Sequence, residues 1–174
     1  MRLVQVLGLG ILFVAFSFVY AQGIGVPKKE DMPKYLKQLQ TSTVAADRAK
    51  AAEMLGKRGG INSDDVADAV EPLRLAMEKD KDAKVRAASA RALGNIHVDA
   101  EKNVPALIER LKNDDVMDVK MASVVALGQY GAEAKDALPP LRELSKKFDA
   151  KKSKDGQTII AAIQSISGAK KKKN

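Results

Sequence analysis

The chain has no cysteine, no tryptophan and a single histidine, and only 4% of its residues are aromatic. Without cysteine there is no disulfide framework, no thiol nucleophile and no cysteine-ligated metal site. Without tryptophan, and with Phe13, Phe16 and Tyr20 all near the N-terminus, the core must be built from Ala, Leu, Val and Ile. Such small side chains let paired helices approach closely. His97, the lone histidine, has no second His and no Cys to join it, so a structural or solvent-exposed role outweighs that of a general base or metal ligand. The acidic stretches Asp80-Lys81-Asp82 and Asn113-Asp114-Asp115 lack the spaced loop, Gly and closing Glu of a calcium site. They read as turns, and neither metal nor cofactor is expected.

Long apolar runs are also scarce: there is one, Leu3 to Val19, behind the short positive stretch Met1-Arg2. Val19-Tyr20-Ala21 supplies small residues at the cleavage spacing of a secretory signal peptide, which leaves Gln22 as the new N-terminus. The run approaches the length that spans a bilayer, so an uncleaved N-terminal anchor is the alternative. With no Cys near the junction, a lipid-attached bacterial lipoprotein is excluded. The expected location is therefore periplasmic or secreted. Cleavage removes one arginine, and the formal charge of +8 falls to +7. Residues 22–30 are expected to be a linker and 169–174 a disordered basic tail.

What remains repeats itself. Val104 to Tyr130 contains two apolar stripes at helical spacing, Val104, Leu107, Ile108 and Leu111, then Val119, Ala122, Ala126 and Leu127. Asn113-Asp114-Asp115 lies between them as a turn with a candidate N-cap. Val70 to Ile96 is a near-copy: Pro72 aligns with Pro105, Asp80 with Asp114, and Leu93-Gly94 with Leu127-Gly128. Weaker copies run from Met32-Pro33 to Leu55-Gly56, and from Pro139-Pro140-Leu141 to Gly168. The three Leu-Gly pairs stand 38 and 34 residues apart, a period of helical arrays. A helix pair this small cannot bury its apolar faces alone and needs neighbours of its own kind.

These units resemble HEAT repeats. The resemblance rests on Pro72, Leu73, Asp80, Val85, Arg86, Ala88, Leu93 and Gly94, and on Pro105, Leu107, Asp114, Val119, Lys120, Ala122, Leu127 and Gly128. It covers residues 31–168 as about four units, and the outer two depart from the pattern. In the first, Asp47-Arg48 stands where Val-Arg is expected; the last has no Leu-Gly. The implied fold is all-α, a short right-handed α-solenoid of about four helix pairs. Kinks are expected at Pro72, and a bend or restart at Pro139-Pro140. The resemblance also assigns Asp80, Arg86, Asp114 and Lys120 to a structural ladder of hydrogen bonds between adjacent repeats. Lys120 brings charge but not the planar fork of arginine.

For function, the resemblance implies a non-catalytic scaffold that binds a protein through its concave face, which the second helices line. Counting along the stripes puts Glu53, Arg91 and Val125 at equivalent outward positions, and Ala52, Ala90 and Val124 at another set. Val124 and Val125 cannot both be buried beside Val119 and Leu127, so these valines join Glu53 and Arg91 as candidate protein-binding residues. A second reading is electrostatic. Lys170, Lys171, Lys172 and Lys173, with the lysines between 146 and 154, could hold an anionic polymer or a membrane surface. No aromatic residue interleaves with them, so sequence-specific nucleic-acid binding is not expected. An enzyme resembling the HEAT-like phycobilin lyases is the third class, and it finds no polar cluster to work with.

Overall fold

The computed structural model describes residues 25–150 and 152–168, and every regular element among them is helical. Four helix pairs follow one another. They are α1 (Met32–Thr41) with α2 (Ala45–Gly59), α3 (Val70–Lys79) with α4 (Ala83–Ile96), α5 (Ala100–Asn113) with α6 (Met117–Tyr130), and α7 (Leu138–Ser145) with α8 (Lys154–Ser167). Single 3-10 segments, Lys29–Asp31, Ser63–Ala69 and Gly131–Ala137, lead into α1, α3 and α7. The expected all-α solenoid is what the chain forms. The apolar segment 1–21 and the lysine run 170–173 lie outside the described residues.

Proline position explains where first helices begin. The expected kink at Pro72 is absent, because α3 starts at Val70 and Pro72 falls in its first turn. Backbone N–H groups there have no intrahelical acceptor, so proline loses nothing. The chain bends earlier, at Val66, whose φ of −132° is non-helical. Pro139 and Pro140 likewise occupy the first turn of α7, which restarts at Leu138 after the 3-10 segment. Only Pro105 sits inside its helix, and α5 runs through it.

The caps also differ from the sequence reading. Asn62 caps the 3-10 segment Ser63–Ala69, its Oδ1 accepting the Asp64 N–H at 3.1 Å. Asp114 is no N-cap. It closes α5, and α6 begins behind Val116 without a side-chain cap. Asp82 does cap α4, accepting the Lys84 N–H at 2.8 Å.

The two layers of helices pack unequally. Second helices stack directly, α2 on α4, α4 on α6 and α6 on α8, whereas successive first helices barely touch. Glycine permits this. A Cβ on Gly56 would come within 2.6 Å of the Ala92 Cα, and one on Gly94 within 2.6 Å of the Ala126 Cα. At Gly128 the distance to the Ala162 Cα is 3.1 Å. Each Leu-Gly pair thus buries its leucine in the core (Leu55, Leu93 and Leu127 are fully buried) and presents its glycine to an alanine of the next repeat. The second helices are therefore the more closely spaced of the two layers, the side expected to be concave in a curved array.

The same rule explains the ends. Met54 occupies the place of Ala92 and Ala126, because no earlier helix pair stacks on it among the described residues. Gln164 occupies the place of the glycines, because no later helix is there among the described residues.

Candidate binding surface

Arginine–aspartate pairs stitch the turns together. Arg48 of α2 donates from Nε and Nη2 to the carboxylate of Asp80, at 2.7 and 2.8 Å. Arg86 of α4 does the same to Asp114, at 2.8 and 3.0 Å. Each arginine uses its third nitrogen on its own turn, Arg48 on the Ser42 carbonyl at 2.9 Å and Arg86 on that of Asp80 at 3.0 Å. Each carboxylate in turn accepts a backbone N–H two residues on, from Asp82 or Val116. Burial opposes ionisation of Asp80 and Asp114, yet the arginine hydrogen bonds, the backbone donor and the arginine charge outweigh it. Both sit below the usual carboxylate range.

The basic residue of one repeat therefore meets the aspartate of the next. Arg48 belongs to this series, although the sequence pattern left it out. Lys120, the next member, finds no aspartate across its junction: Ala150 stands six residues before Gly156, as Asp114 stands before Lys120. Its Nζ donates instead to the Lys112 carbonyl at 3.2 Å. Ser42 opens the series in the aspartate's place and accepts the Val44 N–H at 3.2 Å.

On the second helices, Glu53, Arg91 and Val125 are all exposed and in register across α2, α4 and α6. Val125 is 39% exposed, a large value for an apolar residue on a packed helix. Val124 must be corrected: it is fully buried, as are Ala52 and Ala90 in the same register. That register lies beneath the neighbouring second helix, so Val124 belongs to the core and offers nothing to a partner.

Glu53 and Arg91 share a groove of about 580 Å³ between α2 and α4. Its rim carries Lys50, Glu53, Lys57, Lys84, Arg91 and Asn95, and alanines 46, 49 and 88 keep its floor low. Glu53 takes an ion pair from Lys57 at 2.7 Å and from Lys50 at 3.4 Å. The Lys57 hydrogen bond, with help from the charges of Lys50 and Lys57, holds its carboxyl below the ordinary value against the opposing effect of desolvation. On α6 the wall changes character. Met117 is 41% exposed, Met121 is half-buried, and Val125 continues the row.

The remaining candidates are structural or lie elsewhere. His97 ends α4 in the left-handed region, φ 55°, stacks edge-on against Tyr130 and meets Glu133 at 3.0 Å. The Tyr130 hydroxyl is buried, donates to the Val98 carbonyl at 2.7 Å and is pushed up to about 12, chiefly by burial. Among the lysines between 146 and 154, Lys146 pairs with Glu143 at 2.7 Å and Lys154 is exposed. No group of three or more metal-ligating side chains occurs among the described residues.

A stack of helix pairs whose second helices form one continuous wall defines an α-solenoid. A family model for HEAT repeats matches residues 32–128 and again 70–167. The chain belongs to the HEAT-repeat family, whose members are typically non-catalytic protein-interaction scaffolds. Comparison with curated proteins gives no match.

Proposed function

We propose that this protein is exported after cleavage near Ala21 and holds another protein on its concave wall. The observation that carries this reading is the register of Glu53, Arg91 and Val125. Three stacked helices present an acidic, a basic and an apolar side chain in one row, beside a groove that no element among the described residues fills. Such a row offers charge for orientation and apolar area for affinity. Four consecutive lysines at 170–173 favour an alternative, electrostatic attachment to an anionic polymer or membrane surface.

One experiment separates the two. Envelope extract is passed over the protein at low and high salt, beside an Arg91→Glu/Val125→Asp variant and a chain ending at Gly168. Capture of one defined protein that resists salt and tail removal but is lost in the face variant supports the wall. Capture lost with salt and with the tail, and indifferent to the face, moves the function to the lysines. Sequencing the protein from producing cells tests export. A chain beginning at Gln22 supports it, and a retained apolar segment means an anchor.

A further inference from the structure

The α2–α4 groove is unbalanced in charge. Lys50, Lys57, Lys84 and Arg91 face it against one carboxylate, Glu53. Glu53 is already engaged by Lys50 and Lys57. Lys84 and Arg91 have no carboxylate within ion-pair distance among the described residues. Two cations thus stand on one helix, seven residues and so about two turns apart, pointing over a floor of alanines. Beyond them, α6 lies against α4 through the Gly94–Ala126 contact and exposes Val125, in register with Arg91, together with Met117 and half-buried Met121.

We infer that this groove binds an acidic polypeptide segment, with two carboxylates set on Lys84 and Arg91 and a flanking apolar side chain set on Val125 and Met121. The inference rests on the concave-wall reading and names the class of partner for it. Arginine and methionine favour this use: arginine pairs with carboxylate in a planar fork, and methionine adapts to an incoming apolar group. The chain's own lysine-rich end carries the wrong charge to be the occupant. A continuous polyanion fits less well than a peptide for two reasons. Glu53 stands inside the groove and would face its charge, and none of the residues that line the groove is an aromatic on which a base could stack. A peptide can place a backbone N–H or a cation opposite Glu53 and still reach Lys84 and Arg91.

The test is selection of a random dodecapeptide library on the full chain, beside a Lys84→Glu/Arg91→Glu variant whose circular dichroism shows it folded. The expected result is enrichment of peptides carrying two or more Asp or Glu with a nearby Leu, Ile, Met or Phe. The best of them, synthesised, should lose at least tenfold in affinity against the variant and against Val125→Asp. Replacing its carboxylates with amides should cost as much. Enrichment without acidic residues overturns the inference, as does equal binding to the charge-reversed variant or no enrichment at all. Heparin and a single-stranded oligonucleotide serve as polyanion probes. Tighter binding of either one, abolished in the same variant, assigns the groove to a polyanion and also overturns it. A protein partner lost through Arg91→Glu/Val125→Asp while acidic peptides fail to enrich leaves the concave wall standing and removes only the acidic class.

Discussion

Arg86 and Asp114 are 28 residues apart and belong to different repeats, yet they meet through two parallel N–H···O bonds at 2.8 and 3.0 Å. The carboxylate side chain is almost wholly buried and the guanidinium nearly so. Removing one partner leaves the other with little access to water and no opposite charge beside it. Arg86→Ala is therefore expected to lower the unfolding free energy by roughly 2–4 kcal/mol, the usual cost of an uncompensated buried charge. Chemical denaturation of Arg86→Ala, Asp114→Ala and the double variant measures this. A coupling near zero across that cycle would show that the pair does not act as a unit.

The ladder makes stability depend on acid in a defined direction. Asp80 and Asp114 titrate below their ordinary range in the fold, and so does Asp65, held by hydrogen bonds from Lys29 and Arg58. Between their folded values and the unfolded value of about 3.9, the unfolded chain binds protons that the folded chain does not. Stability from these groups is complete above that unfolded value and drains away as pH falls through the folded ones. Urea midpoints are thus expected to be level from about pH 7 to 5 and to drop steeply below about 4. The drop should be shallower in Asp80→Asn/Asp114→Asn, which starts from a lower plateau. A midpoint that holds steady or rises on acidification contradicts the assignment.

Much of this was legible in the chain itself. The spacing of Leu55-Gly56, Leu93-Gly94 and Leu127-Gly128 identified the array because each pair does two jobs at once, core leucine and contact glycine. The ladder was legible in its residues but not in its direction. Asp80 and Arg86 are six apart, so they look like one local unit, whereas Arg86 reaches only the backbone carbonyl of Asp80, and its carboxylate partner is Asp114 in the next repeat. Arg48 stood at the expected position but was left out of the ladder, because Asp47 replaces the valine that normally marks the site, although its partner Asp80 was already in view. Val124 and Val125 could not be told apart by periodicity. Helix α6 also carries Val119, Ala122, Ala126 and Leu127, so apolar residues surround it and no face stands out. Only the helix stacked above decides which valine is covered. Proline misled for a different reason: the pattern from Val66 onward looks unbroken, and the break at Val66 precedes the residue that seemed to demand it.

The glycine contacts predict an order rather than a single number. Alanine in place of a helical glycine normally gains about 1 kcal/mol. At Gly56 the new Cβ would meet the Ala92 backbone at 2.6 Å, so α2 and α4 must part. Overpacking of this kind costs roughly 1–3 kcal/mol, and Gly56→Ala should be destabilising on balance. At Gly128 the clearance is 3.1 Å and the neighbour is in the last pair, which has nothing stacked above it among the described residues. There the gain and the strain should nearly cancel. Thermal unfolding of the two variants tests the order. A more severe loss at Gly128 would mean that the α6–α8 contact, not α2–α4, is the tightest in the array.

The fourth repeat is held by fewer means than the others. Its junction with the third has the widest glycine clearance, and Lys120 finds Ala150 where Arg48 and Arg86 find aspartate. What ties it instead is packing, along with the Ser165 hydroxyl donating to the Gly128 carbonyl at 2.7 Å. In an array whose stability is a sum over neighbouring contacts, the end with the weakest junction opens first. Amide exchange should therefore report lower opening free energies in α8 than in α4. Supplying the missing pair as Lys120→Arg/Ala150→Asp should slow exchange in α8, with a gain of about 1 kcal/mol, and leave α4 unchanged. Each single substitution should do less, because aspartate needs the fork and the fork needs aspartate. Exchange equally slow in α8 and α4 of the unaltered protein would show that packing alone carries the junction, and the absent rung would then have no consequence for stability.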